Sequence, residues 1–128
     1  MQIEGIHHIA LNVKDLDRAE AFYTQVLGFK VAQRFSGGLR HLMLDAGNFA
    51  IALFETPDLD LKQPLETLSE SGYMHLAFKM DKRHFSSLVE NLEAKNISID
   101  EGPVRRGNGR SIYFNDPDYN HLEIRCDD

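Results

Sequence analysis

Two histidines and one glutamate stand where three strands could present them together. The run Ile6 to Val13, IHHIALNV, alternates, with Ile6, His8, Ala10 and Asn12 on one face and His7, Ile9, Leu11 and Val13 on the other, because successive side chains of a strand point to opposite sides. Met74 to Met80, MHLAFKM, repeats the pattern: Met74, Leu76, Phe78 and Met80 form the apolar face and leave Tyr73, His75, Ala77 and Lys79 opposite. His8 and His75 therefore hold equivalent places. Near the end of the chain Leu122, Ile124 and Cys126 alternate with His121, Glu123 and Arg125, which puts a carboxylate on the matching face of a third strand. Two imidazoles and one carboxylate suit one divalent metal, Fe(II), Mn(II), Ni(II) or Zn(II), and leave positions open for a substrate. A lone histidine on a strand is more often a surface or core residue than a ligand. The repeat at corresponding positions lifts the set of His8, His75 and Glu123 above its members.

The elements that must position these residues come in two similar halves. After the first strand Asp15 is placed to cap a helix whose buried face is Leu16, Ala19, Phe22, Tyr23, Val26 and Leu27, with Gly28 as its left-handed stop. Strand-like runs follow at Phe29 to Phe35, Leu39 to Leu44 and Phe49 to Phe54, divided by the turn signals Ser36-Gly37-Gly38 and Asp45-Ala46-Gly47-Asn48. This is a βαβββ module over about residues 1–56. Residues 57–72 are polar, carry Pro57 and Pro64, show no period longer than a helical turn, and read as a linker. A second module, about 73–128, has a helix from Asp81 to Lys95 ending at Asn96, a short strand Ile97 to Ile99, an Arg- and Gly-rich loop Glu101 to Arg110, the strand Ser111 to Phe114, a DPD turn, and the strand His121 to Cys126. With the last strands of the modules aligned, Ala52 is the counterpart of Glu123. The expectation is one α+β domain over 1–128, two βαβββ modules that form a cup-shaped mixed sheet with helices on the outer face if both halves curl.

Composition narrows the function classes. The chain has 128 residues, 42% hydrophobic and 27% charged, proportions typical of a globular domain. The longest apolar run, Phe49 to Phe54, is far short of the ~20 residues a membrane-spanning helix requires, and the start MQIEGIHH has no secretory character. The single cysteine fits an intracellular, cytoplasmic chain. A net charge of −6 disfavours nucleic acid and anionic membrane as partners. A small molecule is the default substrate.

The runs HHIALNVKDLDRAEAFYTQVLGFKV, MHLAFKM and FNDPDYNHLEI resemble the vicinal oxygen chelate superfamily, which includes glyoxalase I, extradiol ring-cleaving dioxygenases, methylmalonyl-CoA epimerase, fosfomycin-resistance thiol transferases and bleomycin-binding proteins. The resemblance covers nearly the whole chain. It implies paired βαβββ modules, a homodimer, one divalent metal that chelates vicinal oxygens of the substrate, and ligands at His8, His75 and Glu123. Glyoxalase I and the epimerase use a fourth ligand at the end of the first module. Here that place is Ala52, which cannot ligate, so those two activities are disfavoured. Tyr113 matches a substrate-bonding tyrosine of the extradiol signature, but Val104, Arg105 and Arg106 stand where its histidine is expected, and Tyr119 replaces a glycine after DPD. Against the fosfomycin enzymes, Ala10 replaces a threonine that contacts the phosphonate, and Glu101 to Arg110 lacks their potassium-binding pattern.

Further residues complete the candidate site. Arg105, Arg106 and Arg110 are suited to hold a substrate carboxylate or phosphate, since guanidinium binds oxyanions in a bidentate way, although such a loop is commonly a solvated hairpin. Ser111, like Tyr113, is shared across the superfamily and is placed at the substrate. His41 falls on the cup-facing parity of its strand and could shuttle protons near neutral pH. His121 is placed to orient Glu123. His7, on the helix-facing side, and His84, in the first turn of the second helix, read as structural. The resulting expectation is a metal-dependent enzyme with dioxygenase-like chemistry narrowly ahead. The alternatives are a thiol transferase or lyase of the same superfamily and a non-catalytic, drug-sequestering protein.

Overall fold

The computed structural model describes residues 1–128, which divide into two compact units, Met1–Leu61 and Lys62–Asp128. The first has four strands, β1 (His8–Val13), β2 (Lys30–Phe35), β3 (His41–Asp45) and β4 (Ala50–Glu55), in the order β1-β4-β3-β2, with β1 parallel to β4 and the other pairs antiparallel. The second repeats this arrangement with β5 (His75–Lys79), β6 (Ile99–Arg106), β7 (Gly109–Asn115) and β8 (His121–Asp127) in the order β5-β8-β7-β6, and β5 is parallel to β8. Two four-stranded mixed sheets with few helices make this the βαβββ modular organisation of the α+β class, as the internal repeat predicts.

Strand parity comes out as the alternation requires. In the first unit Leu11, Val13, Leu42, Leu44, Ile51 and Leu53 are buried, together with Leu16, Ala19, Phe22 and Tyr23 of the helical segment. The helix α1 (Leu16–Ala21) starts at Asp15, whose side chain accepts a hydrogen bond from the Arg18 N–H at 3.0 Å. Its first N–H, from Leu16, is taken by Glu55 Oε2 at 2.9 Å, which ties the helix to the end of β4. Beyond Ala21 the predicted helix continues as a π-helical turn, Phe22–Val26. Thr24 Oγ1 donates to the Glu20 carbonyl at 2.8 Å, and a hydroxyl that takes the carbonyl four residues back competes with the regular ladder and loosens the turn. Gly28, at φ +77°, then ends the segment, with the Phe29 N–H on the Tyr23 carbonyl at 3.0 Å.

Three predicted boundaries of the second half shift, each for a local reason. The stretch read as a linker contains a short helix α2 (Pro64–Thr67), closed by a capping box between Gln63 and Glu66. The single helix expected over Asp81 to Lys95 is two, α3 (Lys82–Phe85) and α4 (Leu88–Ala94), because Ser87 turns its hydroxyl back to the His84 carbonyl at 3.2 Å and leaves helical geometry. Most of the loop expected over Glu101 to Arg110 is paired strand: β6 and β7 form a ladder through Arg106↔Gly109, with register shifts on either side of Glu101. Asn96, at φ 59°, ends α4 as its sequence context predicts. No helix is long and apolar enough to cross a membrane.

Three carboxylates at the edge of the second unit make its stability depend on acid. The Lys79 ammonium and the Arg125 guanidinium hold Asp127 below its ordinary 3.8, Arg105 does the same for Asp128, and Arg83 for Asp81. A depressed folded pKa gives stability that is complete above the unfolded value and is lost as pH falls through the lower folded one. The urea midpoint is therefore expected to fall as pH drops below about 3.8. Asp127→Asn should shallow that fall, and 0.5 M salt should weaken it because all three pairs are at the surface.

Candidate active site

The second unit brings two of the expected ligands into direct contact. β5 and β8 pair with His75 opposite His121 and Ala77 opposite Glu123, while β7 places Tyr113 opposite Glu123 and Ser111 opposite Arg125. His75, His121, Glu123, Tyr113 and Ser111 thus share the face away from Leu76, Ile112, Phe114, Leu122 and Ile124. Glu123 is only 7% exposed. Its Oε1 accepts the Ser111 hydroxyl at 2.5 Å, and its Oε2 lies 3.3 Å from His75 Nε2. A buried carboxylate is costly unless hydrogen-bonded and paired, and here one oxygen is committed to the protein while the other faces an imidazole nitrogen.

That spacing fits a shared cation. Bonds of about 2.1 Å from one metal to a nitrogen and an oxygen, at angles between square and tetrahedral, put the two donors about 3.0–3.4 Å apart. His75 and Glu123 meet this without movement. Neither unit by itself gathers three or more His, Cys, Asp or Glu side chains into a metal-holding group. His8 lies at the start of β1 on the open face of the first sheet, where its Nδ1 is 2.8 Å from His7 Nδ1. One of these nitrogens must donate and the other accept, and the tautomer in which His8 Nδ1 donates is the one that leaves its Nε2 lone pair for a cation. His7, expected on the helix-facing side, is instead exposed and acts on its neighbour.

Other expected residues sit elsewhere than the sequence suggests. Ser111, placed at the substrate, is fully buried behind Glu123 and orients it. His121, expected to orient the carboxylate, has its Nδ1 3.1 Å from Asn115 Oδ1 and stacks on Tyr113 at 5.8 Å between centroids and 10° between planes. Burial pushes its pKa down and outweighs the opposing pull of the Asp100 carboxylate. The arginines diverge. Arg105 forms a fork with Asp128 at 2.9 and 2.5 Å, Arg110 lies over the Phe85 ring at 5.1 Å, and Arg106 binds Glu101 at 2.8 Å with its guanidinium 5.7 Å above the Tyr113 ring. His41 is sandwiched between Phe35 and Phe54 at 4.4 and 4.6 Å, with its Nδ1 2.6 Å from the Leu39 carbonyl oxygen. His84, read as structural, is exposed.

The sequence profile of the Glyoxalase/Bleomycin resistance protein/Dioxygenase superfamily matches residues 5–124. The chain belongs to this superfamily. Within it, the chain is 34% identical to the uncharacterized protein YwkD of Bacillus subtilis, over 97% of this chain and 98% of that one. It is 30% identical to the metallothiol transferase FosB of Staphylococcus epidermidis, over 97% of this chain and 82% of the relative. Among solved structures, a mutant of the fosfomycin resistance protein FosX of Listeria monocytogenes, complexed with Mn(II) and 1S,2S-dihydroxypropylphosphonic acid, superposes with a TM-score of 0.79 at 26% identity, covering 99% of this chain and 95% of that one.

Sequence reasoning missed two contacts of the candidate site that have a readable signal. Ser111 and Glu123 fall on adjacent antiparallel strands with the same facing parity, so their contact could be anticipated once the β7–β8 pairing is drawn. The His7–His8 contact is between sequence neighbours, and only the departure of His7 from the strand makes it possible.

Proposed function

We propose that the protein is a metal-dependent enzyme on the thiol transferase or lyase side of its superfamily, acting on a small substrate with oxygen donors, with His8, His75 and Glu123 as metal ligands. The observation that carries this reading is the buried Glu123 carboxylate, tied at Oε1 by Ser111 and turned at Oε2 toward His75 Nε2 at 3.3 Å. The relatives move the balance away from the dioxygenase-like chemistry that the sequence puts narrowly ahead, since FosB is a metallothiol transferase and the FosX complex holds Mn(II) with a vicinal diol. A divalent metal bound there supplies Lewis-acid polarisation of a substrate oxygen. The residues do the rest: Ser111 holds the carboxylate in one rotamer, His7 contacts the ring of His8, and Tyr113 stands opposite Glu123, where Arg106 engages its side chain. A homodimer, the assembly the resemblance implies, supplies two such ligand sets.

The reaction class is tested by measuring thiol loss and oxygen uptake in parallel, with Mn(II) and a panel of small oxygen-bearing electrophiles. Metal-dependent consumption of the electrophile without oxygen uptake is the expected result, with parallel thiol loss for a transferase and none for a lyase. Oxygen uptake on a catechol with no requirement for thiol overturns the assignment in favour of ring cleavage.

Ser111 gives a sharper test of the ligand geometry. Ser111→Ala should lower Mn(II) affinity by about 10–100-fold in calorimetry, the usual cost of removing a group that orients a ligand. Ser111→Thr, which keeps the hydroxyl, should recover most of it. Equal affinities in all three proteins would remove Glu123 from the metal.

A further inference from the structure

The second unit contains a pocket of about 320 Å³, at the small end of the roughly 300–1,000 Å³ over which ligand sites are found. One wall is aromatic: Tyr113 stacks on His121, and Tyr73 inclines to His121 by 40° at 6.5 Å. The facing wall is apolar and comes from the α2 segment, where Leu65 and Leu68 line the pocket while remaining 86% and 59% exposed. Because His121 pairs with His75 across β5 and β8, with rings 6.0 Å apart, the pocket lies beside the His75–Glu123 pair.

We propose that this pocket receives the uncharged aromatic body of a small substrate and rejects phosphonates and phosphates. Its place in a catalytic site rests on the metal reading above, whereas its ligand class rests on the walls alone. The only guanidinium in the lining is Arg106, and it is already bound by Glu101 at 2.8 Å and laid against Tyr113. Asp100 adds a second carboxylate, which accepts from Asn115 Nδ2 at 2.7 Å. Two carboxylates against one guanidinium leave the lining with a net negative charge, so an incoming dianion meets repulsion and must first break the Arg106–Glu101 pair. Arg105 offers no substitute, being held by Asp128, and Arg110 lies over Phe85 on the other face of the sheet. An uncharged ring meets none of these costs. It stacks on the Tyr113 and His121 edge and removes Leu65 and Leu68 from water, where burial of apolar area stabilises by about 25 cal/mol per Å².

The probes are phenol and methylphosphonate, titrated by calorimetry and ligand-observed NMR into the full chain, first in EDTA and then with Mn(II). Phenol is expected to bind at least ten-fold more tightly than methylphosphonate in EDTA. Leu68→Asp, at an exposed position that leaves the core untouched, should weaken phenol ten-fold or more with an unchanged circular dichroism spectrum. Glu101→Gln should free Arg106 and raise methylphosphonate affinity several-fold while changing phenol by less than two-fold. Absent phenol binding, phenol binding indifferent to Leu68→Asp, or methylphosphonate binding equal to or tighter than phenol in EDTA would each overturn the proposal. Phenol has no vicinal oxygens and the decisive titrations contain no metal. A chain that binds phenol but not Mn(II) therefore breaks the metal reading alone, and the converse breaks this one alone.

Discussion

With the proposed ligand set, Mn(II) is expected to raise the thermal stability of the wild-type protein, and Glu123→Ala is expected to abolish that rise together with any metal-dependent turnover. A ligand that binds only the native state adds RT ln(1 + [L]/Kd), about 2.7 kcal/mol at one hundred times Kd, and removing the one ligand that is both charged and buried should eliminate that gain. The metal-free proteins should differ much less. His75 is 41% exposed and is not left as a buried charge by the substitution, so the main loss is the partner of the buried Ser111 hydroxyl, about 1 kcal/mol. Glu123→Gln retains an acceptor for Ser111 and should separate the two effects, with near wild-type stability in EDTA and little gain from metal. Differential scanning fluorimetry with and without Mn(II) measures all six values. An equal metal-induced rise in wild type and Glu123→Ala would remove Glu123 from the ligand set.

Gly102→Ala is expected to be the most damaging change that removes no functional group. Gly102 has φ +106°, and a Cβ there would run into the backbone carbonyl oxygen of Ser111 and approach Ile112 Cα to 3.0 Å. Neither obstacle is a flexible side-chain end that could swing away. A strained backbone region costs of order 1–3 kcal/mol and overpacking a similar amount, so a loss of about 3 kcal/mol or more in urea unfolding follows. The strand that must yield is β7, which carries Ser111, so Mn(II) affinity should fall beyond what the stability loss explains. Gly107→Ala is the control. Its φ of +55° is also left-handed, but a Cβ there meets nothing within 4 Å, so the cost should be about 1–2 kcal/mol with unchanged metal affinity.

What the sequence determined by itself is whatever depends on period and repetition. Alternation over IHHIALNV and MHLAFKM put His8 and His75 on the faces opposite the buried leucines and valines, because a side chain in a strand has only two directions to take. The duplicated order of elements then made the two βαβββ units and the matching place of Glu123 legible, and Asp15, Gly28 and Asn96 marked helix ends through their own backbone chemistry. The tertiary structure alone decided which partner each polar group takes. Arg105, Arg106 and Arg110 lie close together in a stretch that reads as one loop, yet Asp128, Glu101 and Phe85 claim them separately, since the β6–β7 ladder turns Arg106 to one face and the paired Arg105 and Arg110 to the other, where each has its own neighbour. Ser111 was readable as a residue on the correct face but not as the residue behind Glu123, because that contact needs the β7–β8 register. His41 has the parity of a site residue and is held between two phenyl rings, one from each flanking strand. Local propensity acts within a few residues, whereas the pairing of charges and rings is settled by strand register, which no short window of sequence contains.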